Sequence, residues 1–354
     1  MSALLPRALR ALAELEGERA IHTVCRADVN KRGALEIELD GGRWFVLEGH
    51  DLRELRAVED ARLPLVEALR APDGGRYEVL AWRPGRRLVI RTEQHALTKG
   101  WRRGRAAQMG ARHEAVRSAC GAHGLRLARV LQDEFAARHG ALCFERMSGR
   151  RPRITSAESR QFAHLGACLR ALQEAPLPKD FAVHDVASEL LVLHERARRN
   201  AVALGKSAER VERTIRELRE RARSLPPMQL GVCHRDLHDA QILVADDHVC
   251  VLDWDLACAA DTALDPANLL AHMALRELQD LDGADASGVD ACGRALLDGL
   301  DRANDELYWV RLRFYQACTF LRLSMLYALR PRWRHLTDPL QTLAERCLAM
   351  RHAV

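Results

Sequence analysis

Lysine is nearly missing from this chain. Of 54 basic residues in 354, only Lys31, Lys99, Lys179 and Lys206 are lysine, so arginine serves almost everywhere that a solvated positive charge would do. Each remaining lysine is therefore a marked residue. Paired cysteines are missing as well: the ten cysteines are scattered with no CxxC spacing, which argues against a zinc site and fits reduced thiols better than a disulfide framework. No apolar run reaches the length that crosses a bilayer, and the opening stretch lacks the basic, apolar, small-residue order of a signal peptide. The expectation is a soluble, cytoplasmic protein without a membrane partner. Nor is there a basic block interleaved with aromatics, and a net charge of +5 is modest for this length, so no nucleic-acid face is expected.

What is present is a hydrophobic fraction of 48% beside 29% charged residues, enough for a substantial core divided among two or three lobes. Residues 1–75 read as an N-terminal α/β extension or cap. A helical SALLPRALRALAELEG leads into the strand-like ERAIHTVCRADV, ALEIELDGG and RWFVLEG, and HDLRELRAVEDARLPLVEALRAP returns to helical spacing and ends near PDGG. Residues 76–148 switch to short strands. YEVLAWR and RLVIRTE flank a tight turn at Pro84-Gly85, and ALTKGW follows as a third strand. Next come a helix, RAAQMGARHEAVRSACGAHG, closed by Gly124, and two more strands, LARVLQDEF and ALCFERM. Residues 149–354 are mostly helical, interrupted by two short apolar runs, ILVA and VCVLDW, joined by the turn Asp246-Asp247.

That interruption carries the chemistry. HRDLHDAQIL, His234 to Leu243, has the spacing of the kinase catalytic loop H-x-D-x-x-x-x-N, with Gln241 where the loop asks for asparagine. Phosphoryl transfer asks little covalent work of a protein. It needs magnesium held against the phosphates, a cation on them, and a carboxylate to orient the accepting hydroxyl. Asp236, after the apolar strand LGVC, is the candidate for the orienting carboxylate. Asp253, after VCVL and seventeen residues on, is the candidate metal ligand. A hairpin-length pair of strands between them would bring both to one edge. The plainer alternative, that HRDLHD merely caps a turn, leaves the second motif and its order unexplained.

These residues resemble the aminoglycoside phosphotransferase and choline kinase-like family, small-molecule relatives of protein kinases. The family loop is commonly H-G-D-L-H-x-x-N and its second motif I-D-W-[DE]; HRDLHDAQILV and VLDWDLA match at His234, Asp236, Leu237, His238, Asp253 and Trp254, and Asp265 of LDPANLLAH fits a further family aspartate. The resemblance covers roughly Arg76 to Ala274. It implies that Lys99, in ALTKGW, touches the nucleotide's phosphates and is positioned by Glu114 on the next helix. It also implies that backbone groups of FERMSG, at Glu145 and Met147, meet the nucleotide base, and that Asp253 and Gln241 hold Mg2+ for ATP or GTP. His234 and His238 are expected to be structural groups bonded to the loop backbone. Four departures stand out: Gln241 for asparagine, Arg235 for the usual glycine, Asp239 where proline is common, and WRPGRRL where a glycine-rich loop would be.

The expected fold is thus α+β: a bilobal protein-kinase-like architecture with a small antiparallel-sheet N-lobe, a mostly helical C-lobe and an extra N-terminal α/β unit. The expected activity is transfer of the γ-phosphate of ATP or GTP to a hydroxyl of a small molecule, an aminoglycoside, amino alcohol or sugar-like compound, bound between the catalytic loop and the C-terminal helices. Asp255 and Asp261 would favour a cationic acceptor, whereas Arg311, Arg313, Arg322 and Arg330 would favour an acidic one. The competing class is a catalytically weak pseudokinase acting as a nucleotide-binding or scaffolding module. A homodimer is left open.

Overall fold

The computed structural model describes residues 4–30, 33–70, 77–92, 96–120, 125–245, 248–281, 283–302 and 304–350. The turn at Asp246-Asp247, the PDGG stretch and the expected cap Gly124 lie outside the described residues. Along the chain, helix α1 (Leu4–Glu16) precedes strands β1 (Val24–Val29), β2 (Leu35–Leu39), β3 (Trp44–Glu48) and β4 (Asp51–Leu55) and the short α2 (Val66–Leu69). Then come β5 (Glu78–Arg83), β6 (Arg87–Arg91), β7 (Leu97–Trp101), α3 (Ala106–Cys120), β8 (Leu125–Arg126), β9 (Val130–Leu131), α4 (Glu134–Arg138) and β10 (Ala141–Phe144). The remainder is α5 (Ser159–Glu174), β11 (Val183–His184), α6 (Val186–Leu204), α7 (Ala208–Ala222), β12 (Leu230–Cys233), β13 (Ile242–Val244), β14 (Val249–Val251), β15 (Cys258–Asp261), α8 (Leu264–Leu278), α9 (Ala286–Gly299), α10 (Glu306–Tyr327) and α11 (Thr337–Ala349).

Contacts divide the chain into two compact units: Pro6–Ala115 with Leu127–Ser148, and Met1–Leu5 with Val116–Arg126 and Gly149–Val354. The first unit holds a four-stranded meander, β1-β2-β3-β4, and a five-stranded sheet, β5-β6-β7-β10-β9. The meander pairs antiparallel throughout, and β2 buries every second residue, Leu35, Ile37 and Leu39, as the period of two requires. One apolar cluster serves both sheets: Trp44 of the meander, Leu63, Leu65 and Val66 of the connection, and Trp82, Leu88, Ile90, Ala141 and Cys143 of the second sheet. Burying each such large side chain stabilises by about 1.5–3 kcal/mol. Leu65 packs so closely on β7 that a Cβ at Gly100 would lie 2.8 Å from its own Cβ, which requires glycine beside Lys99.

Two segments differ from their sequence expectation. HDLRELRAVEDARLPLVEALRAP, expected to be helical, is α-helical only at α2; its start forms the edge strand β4, because those residues also alternate and β3 offers a free edge along Trp44–Glu48. LARVLQDEF is not one strand: Asp133 accepts the Ala136 N–H at 2.6 Å and caps α4 within it.

In the second unit, helices surround two small sheets, β11-β15-β12 and β13-β14-β8. The 22-residue α10 is buried along most of its length, through Tyr308, Leu312, Tyr315, Phe320 and Met325 among others, and packs against α6, α8 and α11. Arg311 and Asp261, expected near a substrate mouth, instead form a buried ion pair at 3.2 Å, with side chains 3% and 1% exposed. Burial pushes the Asp261 carboxyl above its ordinary range.

Candidate active site

The HRDLHDAQ segment runs from the end of β12 to the start of β13 in the second unit, and Asp253 follows the end of β14, the antiparallel partner of β13. Leu252 ties the two stretches together. Its N–H donates to the Gln241 carbonyl at 2.8 Å and its carbonyl accepts from His234 Nε2 at 2.7 Å. Asp253 is thereby held next to the loop that carries Asp236 and Gln241. The ring of His234 is fully used: its Nδ1 accepts the Asp236 N–H at 3.2 Å, so Nε2 carries the proton, and Trp254 packs edge-on at 4.8 Å. His238 Nδ1 likewise accepts the Ala240 N–H at 3.2 Å. Both histidines are hydrogen-bonded to the backbone of their own loop.

Arg235 sits at φ +70° and Asp253 at φ +64°, a left-handed conformation that costs an ordinary residue about 1–2 kcal/mol. The usual glycine of the motif would avoid that cost. Here the conformation is over-determined by α8. Asp265 accepts the N–H groups of His234 and Arg235 at 2.5 and 2.7 Å, and Asn268 Nδ2 donates to the Arg235 carbonyl at 2.9 Å. Asp265 is buried, which pushes its carboxyl up despite the donors. Asn268 was not singled out in the sequence, although its place three residues after Asp265 on one helix put both on one face.

The Asp236 side chain is 42% exposed, and Arg322 Nη1 of α10 lies 3.5 Å from its Oδ1. Gln241 spends its backbone N–H on the His238 carbonyl at 2.9 Å, while its side-chain amide makes no hydrogen bond among the described residues. Asp239 is taken up by Arg276, Nε to Oδ2 at 3.0 Å. Asp253 and Gln241 thus offer a carboxylate and an amide oxygen, the hard oxygen donors that magnesium prefers.

In the first unit, Lys99 lies on β7 between Val89 of β6 and Leu142 of β10, half-buried, with Nζ 5.2 Å from the Trp101 ring centre. Glu114 stands on the exposed side of α3. Glu145 and Met147 follow β10; the Glu145 N–H donates to the Arg129 carbonyl at 3.0 Å and its carboxylate accepts from Arg129 Nε at 2.6 Å. The Pro84-Gly85 turn is pinned by Asp60, whose buried carboxylate accepts from the Gly85 N–H, from Trp82 Nε1 at 3.2 Å and from Arg62 Nε at 2.9 Å. That amide is therefore not offered to phosphate, as a glycine-rich loop would offer it.

Residues 68–304 match the model of the phosphotransferase enzyme family. The chain belongs to that family. No curated protein is matched by sequence. Among solved structures, this phosphotransferase resembles an amicoumacin kinase in complex with AMP-PNP, Ca2+ and Ami at TM-score 0.55 and 14% identity, over 78% of this chain and 89% of that one. It also resembles the GDP complex of an aminoglycoside 2'-phosphotransferase at 0.51 and 12%, covering 77% and 91%. A choline/ethanolamine kinase family protein from Mesorhizobium loti gives 0.50 and 16%, covering 83% and 94%. At these identities the likeness is one of fold, and it is the kinase-like fold of small-molecule kinases. No helix among the described residues is long and apolar enough to cross a membrane.

Proposed function

We propose that this phosphotransferase moves the γ-phosphate of ATP or GTP to a hydroxyl of a small molecule. The observation that carries the reading is the double hydrogen bond on Leu252, which sets Asp253 beside the loop of Asp236 and Gln241. Asp236 orients the acceptor hydroxyl and takes its proton as the oxygen bonds to the γ-phosphorus; the bond to the bridging oxygen breaks and the nucleoside diphosphate leaves. Asp253 and Gln241 hold magnesium, which when bound neutralises charge on the phosphates. The same reading assigns Lys99, positioned by Glu114, to the phosphates, and the backbone of Glu145 and Met147 to the base. Relatives in the fold have been crystallised with AMP-PNP and with GDP, which supports a nucleotide donor without choosing between adenine and guanine.

The pseudokinase reading draws on two observations: Gln241 in place of asparagine, and the engagement of Gly85 by Asp60. The longer side chain shifts the donor oxygen, and a misplacement of about 1 Å can cost about a hundredfold in rate. The test is transfer of labelled γ-phosphate, with magnesium, to a panel of aminoglycosides, amino alcohols, sugars and their acidic derivatives. Transfer to one class supports the kinase. Magnesium-dependent nucleotide binding with no transfer, unchanged in Gln241→Asn, supports the pseudokinase.

A further inference from the structure

Arg322 is incompletely paired, as is Asp239, whose buried Oδ1 has no hydrogen-bond partner among the described residues. The Nη2 of Arg322 donates to Asn268 Oδ1 at 3.0 Å, its Nη1 stands beyond good hydrogen-bond range of Asp236 at 3.5 Å, and its Nε is buried with no partner among the described residues. A guanidinium has five donors and binds planar anions through two of them at once. The other carboxylates nearby are already engaged. Asp239 pairs with Arg276 at 3.0 Å, Glu189 accepts from His184 Nε2 at 2.8 Å, and Asp265 holds the loop amides. Among the described residues Asp236 is the carboxylate in ion-pair range of Arg322, with the buried Glu189 also feeling its charge, and Asp236 is the group the reaction needs for the hydroxyl.

We propose that the acceptor carries an anionic group, carboxylate or phosphate, a few bonds from its reacting hydroxyl, and that Arg322 binds that group. The proposal rests on the phosphotransferase reading and names the acceptor class for the same site. Binding the anion draws Arg322 toward the acceptor and leaves Asp236 to receive the hydroxyl. An aminated acceptor would bring an ammonium against the guanidinium, so the residue also selects against cations. The surroundings agree: His272 on α8 has its basicity held well down, by burial first and then by the charges of His238, Arg322, Arg276 and Arg330. His238, Asp239 and His272 place donor atoms within 4.8 Å of one another, and Arg276 is paired with one oxygen of that carboxylate. Of the acidic residues that would have suited a cationic acceptor, Asp261 is buried against Arg311.

The test is calorimetric titration of the full-length protein, saturated with Mg2+ and AMP-PNP, against matched acceptors: glycerol, 3-amino-1,2-propanediol, glycerate and glycerol phosphate, with the hexose series glucose, glucosamine, gluconate and glucose 6-phosphate. The expected result is that an anionic member binds at least about tenfold more tightly than its neutral and aminated partners, and that Arg322→Gln reduces the preference to about twofold or less while Arg322→Lys keeps part of it. A neutral or aminated member binding best, a preference untouched in Arg322→Gln, or no anionic member binding at millimolar concentration overturns the proposal. So does a preference seen only with ADP, which would place the anion where the γ-phosphate belongs. Phosphate transfer is measured in parallel on the same preparation with Mg2+ and ATP or GTP in place of AMP-PNP: transfer to the amine with no anion preference sinks the proposal and leaves the kinase reading standing, whereas anion preference without any transfer sinks the kinase reading and leaves Arg322 as an anion site.

Discussion

His234 Nε2 donates to the carbonyl of Leu252 at 2.7 Å, and through that bond the loop of Asp236 is fastened to the residue before Asp253. The imidazole is a strut. Its other nitrogen accepts from the Asp236 amide, so one ring sets both the position of the loop and the direction in which Asp236 leaves it.

Replacing His234 by alanine removes both bonds from a fully buried position. Stability should fall by about 2–3 kcal/mol, from unsatisfied backbone groups and the small cavity. Turnover should fall by about tenfold to a hundredfold, and the KM for nucleotide should rise as well, because the residue positions Asp236 and, through Leu252, the metal ligand Asp253. Steady-state kinetics and urea unfolding of the same preparation check both.

Arg235 tests the backbone of the loop. Both Arg235→Gly and Arg235→Ala lose the guanidinium, but only glycine is at ease at φ +70°. Thermal unfolding should place the glycine variant above the alanine variant by about 1 kcal/mol. Equal stabilities would mean that the loop relaxes out of the left-handed conformation when the side chain is removed.

Arg311 and Asp261 form the buried pair under α10. Arg311→Met leaves the carboxylate alone in the interior and should cost about 3–5 kcal/mol in chemical denaturation. The double variant with Asp261→Leu should recover a large part of the loss, since no uncompensated charge remains.

These four residues mark what the sequence could and could not carry. The order and spacing of HRDLHD and LDWD put Asp236 on the loop that leads into β13 and Asp253 just after β14, and the short β13–β14 hairpin brings the two segments together. The alternating apolar residues of β2 and the strands flanking Pro84-Gly85 were legible for the same local reason. Arg311 and Arg322 were not separable: eleven residues apart, three turns of α10, they lie near one face of the helix, and only tertiary packing sends one to Asp261 and the other to Asp236. Asp60 was equally silent, since a single carboxylate in a connection announces nothing of the turn it will pin. The strand β4 was lost to a pattern, D-L-R-E-L, that satisfies two periods at once, and the free edge of β3 decided it.

His272 gives the fold a pH dependence of known sign. Burial, reinforced by His238, Arg276, Arg322 and Arg330, holds its folded-state pKa well below the ordinary 6.5, whereas the unfolded chain takes up the proton near that value. Stability from this group is therefore kept above about pH 6.5 and lost as pH falls below it, with a slope approaching about 1.4 kcal/mol per unit. Comparing wild type with His272→Asn between neutral and mildly acidic pH, by thermal unfolding, should show the flatter curve for the variant.

The most direct measurement is phosphate transfer by wild type and Asp236→Asn, each with magnesium-dependent nucleotide binding measured alongside. The expected result is nucleotide binding unchanged within about twofold and transfer lowered by about a hundredfold or more, as removal of a group acting on the hydroxyl in the transition state requires. Transfer that survives the substitution would contradict the role given to Asp236, and with it the reading of the loop as a catalytic one.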